Sequence, residues 1–236
     1  MDDIMQIGQY IQYNSLLILS YFFLSLVALI LNKLTNNKSL DFLFSSCRGS
    51  LLNPLTYVKL FTHILGHENW KHFSNNFLYI LLVGPMIEEK YGTVNLLIMI
   101  LITAGITGII NFIIGKHKIL GASGIVFMFI ILSSFVNIET GKLPLTLILL
   151  FLFYIVNEII DGLFKKDNVS HLGHLIGAIC GFVFGYYVFW CYLLYVLYDT
   201  IVIVKRYFMK KKNETIWEFI IFEFFFFVLG IFGCVQ

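Results

Sequence analysis

Residues 120–135 read LGASGIVFMFIILSSF. A Gly-Ala-Ser-Gly turn opens straight into a run of Ile, Val, Phe, Met and Leu whose composition belongs in hydrocarbon. A helix crosses a bilayer in about 17 to 25 apolar residues, and 122–138 falls in that range. The odd feature is a lone hydroxyl, Ser123, flanked closely by Gly121 and Gly124 at the mouth of this run. Gly and Ser let membrane helices approach one another, which accounts for the turn. A nucleophile that needs small surroundings also accounts for it. The tetrapeptide alone does not decide between them.

The rest of the chain agrees with lipid. Of 236 residues 59% are hydrophobic and 13% charged, about half the charged share of a soluble domain, which is roughly 25%. A net charge of +2, with no basic tract interleaved with aromatics, gives no sign of nucleic-acid binding. Cys47, Cys180, Cys191 and Cys234 are scattered in neither a disulfide nor a metal pattern. The start MDD lacks a basic n-region, so the first apolar run reads as a span rather than a cleaved signal. Spans are expected near 15–31, 74–88, 94–114, 122–138, 143–161, 172–192 and 216–233. The expected fold is therefore an all-α integral membrane protein. It divides into a short cytosolic N-terminus (1–14), a six-helix core (15–204), and a basic loop with a seventh helix (205–236). Lys205, Arg206, Lys210, Lys211 and Lys212 form the densest positive cluster, which puts that loop and the N-terminus in the cytosol.

Polar groups at membrane depth are costly and mark function. They fall in three places: HENWKHFSNN (67–76), GASG (121–124) and SHLGHLIGAICG (170–181). These open the second, fourth and sixth spans, which all start from the same membrane face. Parity alone thus brings His72, Asn76, Ser123 and His174 to one depth. His72 and Asn76, four apart, share a helix face. His174 heads a stripe with Gly181 and Gly185, with Gly177 about 60° to its side. A stripe of that kind lets a neighbouring backbone approach. If the neighbour is the fourth span, His174 reaches Ser123, whereas His171 lies closer to the loop. A serine nucleophile needs a base such as imidazole, and its tetrahedral intermediate needs donors for the oxyanion. His72, Asn76 and the Ser123 N–H can supply them. No acidic residue beside His174 completes a triad, so the expectation is a Ser–His dyad.

At this point the residues resemble the rhomboid intramembrane serine proteases. The likeness runs from about 54 to 190 and rests on an ordered set: THILGHENWKHFSNN, EEKYG (88–92), GASG and GHLIGAICG. The resemblance implies a rhomboid-like bundle of six helices plus a C-terminal seventh, as in eukaryotic-type rhomboids. It implies Ser123 as nucleophile, His174 as general base, and His72 and Asn76 as oxyanion donors. It also implies single-span membrane protein substrates arriving laterally through the lipid, a site opening to the luminal or extracellular side, and no cofactor. The family's Trp-Arg pair would fall at Val58 and Lys59, where this chain departs. His63 and His67 match loop histidines that look structural, and Glu89 matches an acidic residue at the end of the second span. Zinc chemistry fits poorly: His67-Glu68 is followed by His72 at i+5, not the i+4 of a zinc motif. The remaining alternative is an inactive rhomboid-like protein that binds membrane clients; such relatives typically lack the Ser or His.

Overall fold

The computed structural model describes residues 13–115, 117–136, 145–150 and 170–187, with 152, 156 and 160. Its helices are α1 (Leu16–Leu34), α2 (Lys38–Leu43), α3 (Pro54–Thr62), α4 (Trp70–Tyr91), α5 (Thr93–Ile114), α6 (Ser123–Phe135), α7 (Leu145–Leu150) and α8 over 171–187. Among the described residues there is no strand, only an isolated antiparallel bridge between Ser46 and Ile119. The chain is an all-α membrane protein. Its exterior is apolar, with Phe23, Leu24, Val27, Ile98, Ile109 and Ile113 all more than 40% exposed. Ser25, Asn32, Thr103, Thr107, Asn111 and Ser134 are buried instead. In water such a surface would be an aggregation site; in hydrocarbon it is the solvated face.

Of the described helices α1 and α5 are both long and apolar enough to cross a bilayer. α4, with 22 residues, is equally long but carries polar side chains in its first two turns. It begins at Trp70 rather than near 74, because Asn69 caps it: Asn69 Oδ1 accepts the His72 N–H at 2.9 Å. An N-cap satisfies amides that would otherwise be orphaned, which outweighs the polar composition of the first turn. The expected fifth span (143–161) lies mostly outside the described residues. The basic cluster at 205–212 and the expected seventh span (216–233) lie wholly outside them.

Three helix ends meet at Glu88, near the C-terminus of α4. Its carboxylate accepts the Ser15 hydroxyl and the Leu17 N–H at the start of α1, and the Thr93 hydroxyl at 2.7 Å at the start of α5. A carboxylate at two helix N-termini satisfies orphan donors and complements both dipoles. Glu89, expected from the sequence to make a helix-end contact, is exposed; the buried acid is its neighbour Glu88. α4 ends at Gly92, whose φ of +79° disfavours any side chain there.

The loop from α1 to α4 is itself folded. Asn53 caps α3 with Pro54 in its first turn. α3 then leans on α5 so closely that a Cβ on Gly108 would lie 2.6 Å from the Leu60 carbonyl oxygen. Lys59, at the position where the Trp-Arg pair would end, donates to the Asp41 carbonyl at 2.6 Å. The Asp41 side chain pairs with Lys118. Tyr21 and Asn32 of α1 donate to the Ile64 and His67 carbonyls at 3.0 and 3.3 Å. The last two bonds tie the segment 63–67 to α1.

Candidate active site

The beginnings of α4, α6 and α8 come together at one face, as parity requires. α6 starts at Ser123 itself. α8 lies along it with backbone touching backbone. A Cβ on Gly177 would fall 2.0 Å from the Gly124 carbonyl oxygen, and one on Gly181 would fall 2.6 Å from that of Met128. Gly185 abuts the Phe135 ring. Both residue series rise together, so the two helices run parallel. Gly177 makes the tightest contact, although its angle sets it aside from the stripe. Residues 177, 181 and 185 form one i+4 ridge, and it is this ridge that seats on α6. His174, half-buried, stacks on Phe127 with ring centroids 4.5 Å apart and planes 8° from parallel. Phe127 is one turn along from Ser123 on the same face of α6.

From α4, His72 and Asn76 converge on the turn before Ser123. Gly121 has φ of +107°, and a Cβ there would lie 2.7 Å from His72 Nε2 and 3.7 Å from Asn76 Nδ2. Both the backbone angle and the space demand glycine. The Gly121 N–H is held by the His63 carbonyl at 2.9 Å.

His67 organises this corner. The Ala122 N–H donates to its Nε2 at 3.3 Å. A backbone N–H is only a donor, so Nε2 is the acceptor nitrogen and the proton sits on Nδ1. From there it is donated to the Leu65 carbonyl at 3.2 Å. Asn76, 3.1 Å from the same Nε2, must then present its amide nitrogen rather than its oxygen. The His67 ring also stands edge-on to His72 at 5.0 Å. Burial, followed by the neighbouring His72, pushes the His67 pKa down to about 3, partly offset by the Leu65 carbonyl. Burial likewise lowers His63 to about 4 against the carbonyls of Lys59 and Leu60. Both rings are neutral at physiological pH. The sequence marks His67 only as a structural loop residue; its bond to Ala122 spans 55 residues and leaves no local signal.

A small cavity of about 20 Å³, open at its mouth, lies beside Ser123 and is bounded by His63, Thr107, Gly124, Ser170 and Gly173. The buried Thr107 hydroxyl has no hydrogen-bond partner among the described residues. Phe127 and Thr107 are the other site residues that the sequence does not single out.

Comparison with known proteins places this geometry. A model of the Rhomboid domain matches residues 54–191, more than half of the chain, and the chain belongs to the rhomboid family. Among curated proteins, it is similar to Rhomboid protease GluP of Bacillus subtilis (30% identical over 140 residues, 59% of this chain and 27% of the other). It is also similar to Rhomboid protease GlpG of Haemophilus influenzae (27% over 128 residues, 52% and 67%). A third is Rhomboid-like protein 11, chloroplastic, of Arabidopsis thaliana (24% over 132 residues, 50% and 47%). The match thus spans from about a quarter to two thirds of these relatives' length.

Proposed function

We propose that the chain is an intramembrane serine endopeptidase that cuts single-span membrane proteins within or near their transmembrane segment. The observation that carries this reading is the meeting of His72 Nε2 and Asn76 Nδ2 at Gly121, two residues before Ser123, with His174 stacked one turn further on. In the proposed reaction the Ser123 oxygen attacks the scissile carbonyl carbon as its proton passes to His174. The carbonyl π electrons move to oxygen, where N–H donors of His72, Asn76 and the Ser123 backbone hold the negative charge. His174 then gives its proton to the departing amine as the C–N bond breaks. Water, losing a proton to His174, then bonds to the acyl carbon; the ester C–O bond to Ser123 breaks, His174 returns the proton to the Ser123 oxygen, and the carboxylic acid leaves. Gly121, Gly124, Gly177 and Gly181 keep the site narrow. The relatives named rhomboid proteases support this activity. Lateral arrival of substrates and a site facing the lumen or cell exterior follow from the same reading.

The test is a serine-directed fluorophosphonate probe in detergent together with cleavage of a single-span substrate. Wild type is expected to be labelled and to cut, and Ser123→Ala to do neither while remaining folded. A wild type that does neither would instead be a client-binding relative.

A further inference from the structure

Ser123 is reached from α5 through a short strap, residues 117–122, that lies in neither helix nor strand. Its position depends on ties to its neighbours. Ser46 and Ile119 exchange both backbone hydrogen bonds, at 2.9 and 2.8 Å. The Gly121 N–H is held by the His63 carbonyl and the Ala122 N–H by His67. A further tie comes from a side chain that the reaction itself does not use. Asn111, in the last turn of α5, is 6% exposed. Its Nδ2 lies 3.3 Å from the Ser46 carbonyl oxygen and 3.2 Å from that of His117. Both partners only accept, so the amide nitrogen is the atom between them, with one N–H for each. Arg48, two residues after Ser46, donates to the Phe112 and Ile113 carbonyls and binds the same loop to the end of α5. Asn111 is thus the point where α5, the loop before α3 and the strap are joined.

We propose that Asn111 is a positioning residue for the oxyanion site: by fixing Ser46 and His117 it sets where the strap delivers Gly121 and Ser123 to the His72 and Asn76 donors. The proposal rests on the serine mechanism. α4 supplies those donors and the strap supplies the turn they meet, so their alignment depends on how the strap is anchored. The tolerance is small, since a single Cβ on Gly121 would lie 2.7 Å from His72 Nε2. Removing the amide leaves the fold its other ties. The Ser46 oxygen keeps the Ile119 N–H at 2.8 Å, and His117 is exposed, so its carbonyl can turn to solvent. No buried acceptor is orphaned, and orphaning is what makes the loss of a hydrogen bond most destabilising. The effect therefore falls on alignment rather than on folding, and a displacement of about 1 Å can cost about 10²-fold in rate.

The experiment compares the full-length wild type with Asn111→Ala, which deletes the amide, and Asn111→Leu, which keeps its bulk without a donor. Lys118→Ala is the control, because it removes only the exposed ion pair between the strap and Asp41, a contact of little worth. Cleavage of a single-span substrate gives kcat and KM. Fluorophosphonate labelling carried to completion counts competent sites, and a thermal midpoint reports folding. In both Asn111 variants kcat per labelled site is expected to fall about 10- to 100-fold with KM little changed, while Lys118→Ala keeps the wild-type kcat. Wild-type kcat per labelled site in either Asn111 variant, or a loss explained wholly by unfolded protein, makes Asn111 a structural residue and overturns the inference while the serine mechanism stands. An equal loss in Lys118→Ala overturns it too, because any disturbance of the strap would then suffice. If wild type is neither labelled nor active, the serine mechanism itself falls.

Discussion

Replacing Gly177 by Ala adds one methyl group at the tightest contact between α8 and α6. Built on the present backbone, that Cβ would lie 2.0 Å from the Gly124 oxygen, 2.8 Å from its carbonyl carbon and 3.0 Å from its Cα. All three are backbone atoms, so no rotamer change relieves the clash. To reach an ordinary contact of about 3.4 Å, α8 must withdraw by about 1.4 Å. His174 is less than one turn from Gly177 and withdraws with it. A misplacement of about 1 Å can cost about 10²-fold in rate, so Gly177→Ala is expected to lower turnover by at least that factor. The overpacking itself is expected to cost about 1–3 kcal/mol of stability. The assay is cleavage of a single-span substrate in proteoliposomes, with a thermal midpoint to correct for unfolded protein. Two variants serve as controls. Gly124→Ala approaches the same seam from the other side but meets the Gly173 oxygen at 3.3 Å, a matter of tenths of an ångström. Gly185→Ala meets the Phe135 side chain rather than backbone, at the end of the ridge away from the site, so its strain falls on Phe135 and not on His174. Both are expected to keep most activity. A Gly177→Ala protein that turns over like wild type, or no worse than Gly185→Ala, would refute the seam argument.

Other outcomes follow from the same geometry. His72→Ala and Asn76→Ala are each expected to lower turnover about 10²–10³-fold, as loss of one oxyanion donor does; full activity in both would remove them from the mechanism. His67 has its pKa lowered to about 3 in the folded chain from about 6.5 unfolded. Its stabilising contribution is then complete above pH 6.5 and is lost as pH falls towards 3, at up to about 1.4 kcal/mol per pH unit. Thermal midpoints measured across that window should fall in wild type and fall less steeply in His67→Gln; identical slopes would contradict the neutral, doubly accepting ring. Glu88→Ala orphans donors at the starts of α1 and α5, each cap being worth about 0.5–2 kcal/mol. It should lower the midpoint clearly, whereas Glu89→Ala should leave it unchanged.

The sequence reads most clearly where the bilayer constrains the answer. Each span must cross, so the starts of the second, fourth and sixth share a face, and His72, Asn76, Ser123 and His174 can be grouped before any contact is known. The glycines of α8 are legible for a related reason, since bare positions on a lipid-embedded helix invite a neighbour. What is hidden depends on long-range closure. The bond from Ala122 to His67 and the anchoring of Lys59 on Asp41 arise only once the folded loop of α2 and α3 sits on α1 and α5. Adjacent acids cannot be separated by pattern either: Glu88 and Glu89 are 100° apart on one helix, and packing alone selects the buried one. The start of α4 is misjudged by hydropathy because its first turn is polar, while Asn69 fixes it by hydrogen bonding.

The seam between α6 and α8 has a mechanical consequence. Bilayers differ in hydrophobic thickness, and helices respond by tilting. α6 and α8 are parallel and touch through backbone atoms at Gly177 and Gly181, with no flexible side chain between them to act as a cushion. Such a pair tilts as a single strut. The spacing between Ser123 and His174 is then set by the seam and not by the lipid around it, and a change of host membrane reorients the two residues together without drawing them apart.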